Sequence, residues 1–202
     1  MKTTLNAIRA HGPCSDGWRK LLRALCKDSA DDEPLSIITV LDSNGVDDAL
    51  WCLRAVPGHD REKRLFAVWC ARQVQHLMTD ARSITALDVA ERHANGAATD
   101  QELSAARAAA WAAALAARVD TSAAARAAAW AAWAAWDAAR AAAWAARVDA
   151  SAAAWDSAWA AWAAAGDSAG AAQASELKRV CTCVDAGHDP YPITHRAEQV
   201  AA

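Results

Sequence analysis

The residues with the clearest capacity for chemistry lie near the C-terminal end of the chain. Cys181 and Cys183 are separated by one residue, and two histidines follow them, His188 and His195. Thiolates and imidazoles are ligands that zinc prefers, but paired zinc-binding cysteines are usually separated by two residues or more. We therefore predict a flexible tail over residues 181–202, without a metal ion or another cofactor.

Four further cysteines lie on or near the apolar faces of predicted helices: Cys14, Cys26, Cys52 and Cys70. A free cysteine on such a face behaves as a small buried hydrophobic residue. No histidine and asparagine accompany these cysteines at a spacing typical of a thiol nucleophile. The sequence also has no glycine-rich phosphate loop and no Ser/His/Asp motif. The pattern favours a protein that is not an enzyme.

Two groups of carboxylates are candidates for contact with a partner protein. The first lies in an acidic loop after the helix predicted over residues 18–26, and the second lies at the start of a later helix. Such a run of acids is either a docking patch or, more commonly, a solvated loop. The candidate partner-binding residues are Asp31, Asp32, Glu33, Asp47 and Asp48.

Composition excludes several classes of function. The formal net charge is −3, and neither half of the 202-residue chain is basic, so we expect no nucleic-acid partner. The first residues have no apolar stretch typical of a signal peptide. In the Ala-rich half, the longest uncharged apolar runs, such as 127–136, are about half the ~20 residues that a membrane span needs. We therefore expect no membrane partner, a location in the cytoplasm, and reduced cysteines.

The elements that must position these residues are predicted to be helices, which gives an all-α fold class. Residues 1–98 are predicted to form a helical domain. Within it, Asp60 is a predicted N-cap for a helix over 61–78, and Asp80 is a predicted N-cap for the helix that follows. Residues 35–42 have the composition of a short helix or a short strand, and we favour a helix because no strand partner is evident. Thr99 to Glu102 forms a capping box, which predicts the start of the next helix.

Residues 99–180 are predicted to form Ala/Trp-rich repeat helices that fold into a bundle. Residues 105–165 contain 37 alanines in 61 positions. Residues 112–133 align with residues 141–162 at an offset of 29 residues, with 17 of 22 positions identical. That offset is about eight helical turns, so the repeat returns to nearly the same helix face. A single straight helix is too long to bury its apolar face, so we predict breaks near residues 120 and 149.

Tryptophan and arginine share one face of these repeat helices, within an arc of about 140°. We interpret this structural stripe as a packing seam, in which guanidinium groups lie against indoles and alanine faces let the helices approach closely. A platform that stacks nucleic-acid bases and a helix at a membrane surface are less favoured alternatives. The residues of the stripe are Trp111, Trp130, Trp133, Trp136, Trp144, Trp155, Trp159, Trp162, Arg118 and Arg147.

Three segments resemble a family of helical bacterial and bacteriophage immunity proteins with Ala/Trp/Arg-rich C-terminal repeats. They are residues 47–70, residues 83–96 with the adjoining 97–103, and the Ala-Ala-Arg-Ala-Ala-Ala-Trp repeats that follow. The resemblance covers about residues 14–165. It implies binding and neutralisation of a toxin without catalysis.

Two hypotheses of function follow. The first is a non-catalytic protein-binding module, of the immunity type, that sequesters a protein partner such as a toxin. The alternative is a structural or self-assembling bacteriophage accessory protein, in which the stripe pairs between chains as a homo-oligomer.

Overall fold

The computed structural model describes residues 1–117, residue 163 and residues 167–193. Eight helices and one two-stranded sheet form the described part, which confirms the all-α fold class. Short 3-10 turns follow α4 at Leu53–Ala55 and α5 at Gln75–Leu77. In chain order the elements are β1 Lys2–Thr3, α1 Leu5–Ala10, α2 Ser15–Ala24, β2 Leu35–Ser36, α3 Ile37–Asn44, α4 Val46–Cys52, α5 Asp60–Gln73, α6 Ala81–Ala94, α7 Asp100–Ala117 and α8 Asp167–Asp185.

The sheet corrects the helix predicted over residues 35–42. Leu35–Ser36 pairs with Lys2–Thr3 in an antiparallel ladder, and α3 begins only at Ile37. The side chain of Ser36 caps α3 by accepting a hydrogen bond from the Ile38 amide. Each strand has two residues, which is too short to show the period-2 alternation by which a strand is recognised.

Local capping signals set most helix boundaries. Asp80 caps α6 through its side chain, as its position predicts. The predicted capping box is also confirmed, because Thr99 Oγ1 accepts from the Glu102 amide and Glu102 Oε2 accepts from the Thr99 amide. The start of α5 differs by one residue, since His59 is its N-cap and Asp60 its first helical residue. That helix ends at Gln73, before the predicted Met78.

One hydrophobic core joins elements from both sides of the predicted boundary at residue 98. Phe66 of α5 and Leu87 of α6 are almost fully buried in it. Leu103 of α7 and Leu177 of α8 belong to the same cluster. None of the described helices is long and apolar enough to cross a membrane.

α7 packs on α6 through small side chains. Four buried residues of α7 follow each other at spacings of three and four, which places them on one helix face. They are Leu103, Ala106, Ala110 and Ala113. On α6 the buried Ala86 and Ala90 belong to the same core. Small side chains on both helices allow close approach of their backbones.

Trp111 is the one stripe residue within the described part, and 39% of it is exposed. It therefore lies at the edge of the packed surface and is not fully buried. The predicted helix breaks near 120 and 149 lie outside the described residues. So do the remaining stripe residues: Trp130, Trp133, Trp136, Trp144, Trp155, Trp159, Trp162, Arg118 and Arg147.

The predicted flexible tail over 181–202 needs correction in its first part. α8 continues to Asp185, and Cys181 is fully buried against the core. Beyond the helix, Arg61 of α5 donates to Asp189 Oδ1 at 2.8 Å and to the Tyr191 carbonyl at 2.7 Å. The same guanidinium donates to Asn95, the C-cap of α6. These contacts come from elements distant in sequence, so composition alone does not indicate them.

Candidate functional site

A cleft of about 80 Å³ lies among the first four helices, and we call it the α1–α4 cleft. Its walls are mostly apolar, with one carboxylate and one carboxamide among them. This combination is typical of a binding site, in which apolar walls exclude water and a few polar groups orient the ligand. The lining residues are Ile8, Pro13, Cys14, Gly17, Trp18, Leu21, Val40, Asn44, Asp48, Trp51 and Cys52.

Gly17 lets the N-terminal end of α2 approach α4 closely. A Cβ at this position would lie 2.8 Å from Asp48 Oδ2 and 3.1 Å from Cys14 Sγ. Asn44 bridges the two helices by donating to the Gly17 carbonyl at 2.9 Å and to Asp48 Oδ2 at 2.7 Å. Cys14 Sγ accepts from the Gly17 amide at 3.3 Å and caps α2. These hydrogen bonds hold the Asp48 carboxylate at the wall of the cleft.

The Asp48 carboxylate has no cationic partner across residues 1–117 and 167–193. It lies partly buried beside the apolar walls, where its charge is less screened than in water. Burial raises the pKa of the Cys52 thiol to about 12, and the nearby Asp48 carboxylate adds to the rise. The cleft is therefore a mostly apolar space with one anionic group, the Asp48 carboxylate, in its wall.

Two indole rings, Trp18 and Trp51, border the cleft. Both side chains are partly buried and pack against the core. Arg54 stacks on Trp51, with its Cζ 4.3 Å from the ring centroid, and Arg54 Nε donates to the Trp51 carbonyl at 2.8 Å. The Trp51 ring therefore already binds one guanidinium group while it also lines the cleft.

The two predicted carboxylate groups lie at opposite ends of α2. Asp48 lies against Gly17 near its start, and the loop with Asp31 follows its end. Ten helical residues separate these ends by about 15 Å. Asp47 is exposed in the first turn of α4, next to the cleft, whereas Asp48 lines it. The five carboxylates predicted to bind a partner therefore do not form one continuous surface.

The acidic loop is organised by Lys27. Lys27 Nζ donates to Asp31 Oδ2 at 2.5 Å and to Glu33 Oε2 at 2.6 Å. The Asp31 carbonyl accepts from the Asn6 amide of α1, and Asp32 accepts from Thr4. Two of the three predicted carboxylates are thus neutralised within the chain, which favours a structural role for the loop over a docking patch.

Replacing Lys27 with methionine tests this role of the loop. The hydrogen bond from Lys27 lowers the pKa of Asp31 below its ordinary value. We therefore expect the pKa of Asp31 to rise towards that value in Lys27→Met, measured by NMR titration of side-chain carboxyl carbons. In the native protein the ion pair is fully formed when the pH is above the ordinary pKa of an aspartate. It is lost as the pH falls through the lowered pKa of Asp31. An unchanged pKa of Asp31 in Lys27→Met would contradict this role of Lys27. Lys20→Met, which removes a lysine charge from α2, is the control.

The two thiols at the C-terminal end, Cys181 and Cys183, both lie on α8. In the described ranges, no three His, Cys, Asp or Glu side chains cluster as metal ligands, and His195 lies outside those ranges. Cys181 is buried in the core, which raises its pKa to about 11. Burial also raises the pKa of Cys70 well above the ordinary thiol value.

A second, larger cavity of about 560 Å³ lies between α5, α6 and residues 190–193. Arg72 and Glu91, which line it, form an ion pair with each other, and Arg72 also pairs with Asp88. Its charged groups are therefore already neutralised, in contrast to Asp48 in the α1–α4 cleft.

Comparisons of this chain with protein-family models, with curated proteins and with solved structures gave no match. An account of function therefore depends on the chemistry of the α1–α4 cleft and on the resemblance described above.

Sequence reasoning identified Asp48 but missed the residues that form a site around it: Gly17, Trp18, Asn44 and Trp51. One signal for the site was present. Gly17 is the third residue of α2, where alanine would favour the helix by about 1 kcal/mol. A glycine inside a helix indicates that another group approaches the backbone closely. Only the structure shows that this group is Asp48.

Proposed function

We propose that this chain is a non-catalytic protein-binding module of the immunity type, which holds its partner at the α1–α4 cleft. The observation that carries the proposal is the Asp48 carboxylate, which is partly buried beside apolar walls and lacks a cation within the described residues. A partly buried charge without a partner is costly, and a complementary group on another molecule would remove that cost. Asp47, exposed beside the cleft, extends the acidic surface.

The state of the thiols supports a binding role over a catalytic one. A thiol nucleophile reacts as its thiolate. Burial and the Asp48 carboxylate both disfavour the thiolate of Cys52, the most enclosed thiol of the cleft. The resemblance to immunity proteins points in the same direction and adds the expectation of a toxin as partner.

Affinity capture from a bacterial lysate with matched variants tests the proposal. The tagged chain, Asp48→Asn and Trp51→Leu are compared with Asp42→Asn, which removes the same charge from an exposed position of α3, where Asp42 pairs with Lys178. We expect a defined set of proteins whose capture falls at least tenfold in the two cleft variants and is retained in the control. Identical capture by all four proteins would contradict the proposal, provided circular dichroism shows that each is folded.

One observation favours the second candidate function, a self-assembling structural protein. Trp111 is 39% exposed on α7, and a large indole at a surface is a common element of an interface between chains. Sedimentation distinguishes the two candidates, because a monomer fits the binding module and a concentration-dependent oligomer fits self-assembly.

A further inference from the structure

We infer that the group received by the α1–α4 cleft is an arginine side chain of the partner, with its guanidinium at Asp48 and the indoles of Trp18 and Trp51 and its aliphatic part along the other apolar walls. This inference rests on the proposed function, since it names the chemistry of the partner at the same site. The inference specifies one residue type, arginine, as the ligand of the cleft.

Charge selects a cationic ligand. The carboxylate of Asp48 is the one ionised group among the lining residues, and its sole described hydrogen bond comes from the neutral amide of Asn44. A neutral group placed there would leave the carboxylate without a counter-charge in a partly apolar space, and an anionic group would repel it. A cation forms a charge-assisted hydrogen bond instead, which is stronger than a bond between neutral groups.

The size of the cleft and its apolar walls favour a cation that is carried on an aliphatic chain. The space of about 80 Å³ is several times the ~10–15 Å³ that a single water requires by the same measure. It is suited to one side chain and is too small for a helix or a folded loop. The apolar walls, which include Leu21 and Val40, match methylene groups better than they match water.

Trp18 and Trp51 favour a guanidinium group over an ammonium group as the bound cation. A guanidinium is planar and weakly hydrated, so it stacks on an indole more readily than an ammonium does. The molecule already shows this mode, because Arg54 lies 4.3 Å from the centroid of the Trp51 ring. A planar fork also directs its N–H donors at a carboxylate in a fixed geometry, which a lysine does not.

NMR titration with a model compound tests the inference. The probe is N-acetyl-arginine-N-methylamide, and the matched neutral probe is the corresponding citrulline derivative, which has the same shape without the charge. We expect saturable shifts of the Trp18 and Trp51 indole N–H signals and of the Asn44 side-chain amide with the arginine probe only. In Asp48→Asn the dissociation constant for that probe should rise by about tenfold or more. In Asp42→Asn it should stay unchanged.

The outcomes separate this inference from the proposed function. Equal binding of the citrulline and arginine probes, equal binding of a lysine probe, or unchanged binding in Asp48→Asn would each overturn the inference. If the arginine probe fails while cleft variants still lose a captured protein, the cleft binds a protein through other chemistry, and only this inference falls. If the probe binds as expected while no protein depends on the cleft, the inference stands and the proposed function falls.

Discussion

Leu21→Ala is expected to lower the free energy of unfolding by about 2–5 kcal/mol, the range found when a fully buried leucine is truncated. Leu21 is 2% exposed, and it is the one buried residue of α2, a helix that the structure describes from end to end. The remaining apolar residues of α2 are only partly buried. The single leucine therefore holds α2 against the core, and its loss also opens the floor of the α1–α4 cleft.

Leu22→Ala is the matched control, because it removes the same atoms from the next position of the same helix, where the side chain is half-buried. We expect a clearly smaller loss of stability in this variant, measured by urea denaturation followed by circular dichroism. Amide exchange of α2 distinguishes local detachment from global unfolding. Equal losses in the two variants would show that Leu21 does not anchor the helix.

Ala110→Leu is expected to destabilise the protein by about 1–3 kcal/mol, because three extra carbon atoms enter a filled seam. Ala110 is fully buried in the core between α7 and α6, where Ala90 is also fully buried. A leucine there forces the two helices apart or moves its neighbours out of their preferred rotamers. The midpoint of thermal unfolding, read at 222 nm, measures the effect.

Ala108→Leu, on the exposed side of α7, is the control. Leucine and alanine are both good helix formers, so this exposed substitution should change the stability by less than about 0.5 kcal/mol. A tolerated leucine at position 110 would mean that α7 does not pack on α6 as closely as described.

Features that depend on neighbouring residues could be predicted from the sequence. The Asp80 cap and the capping box of Thr99 and Glu102 each involve groups at most three residues apart, and both are confirmed. Helical periodicity and capping chemistry act within one or two turns, so the all-α class could be derived without the tertiary structure.

The cleft could not be predicted, because its parts meet only after the chain has folded. Asn44 donates to the Gly17 carbonyl across 27 residues, and no local pattern marks that pair. The same holds for Arg61, which contacts the Tyr191 carbonyl across 130 residues. Residues 181–193 look like a tail in composition, with prolines and a glycine, yet tertiary contacts fix them. For the acidic loop, local charge left open a docking patch or a solvated loop, and it did not indicate that Lys27 pairs with Asp31 and Glu33.

The position of α8 has a consequence for synthesis of the protein. Leu177, Val180 and Cys181 complete the core from the end of the chain, although α1 to α7 are finished at residue 117. A ribosome that adds about 5–20 residues per second needs about 4–15 s to make residues 118–193. During this interval the nascent chain carries an uncovered apolar surface on α3 and α5, where α8 later docks. Until α8 is made, the nascent chain therefore exposes apolar surface of the kind that chaperones bind.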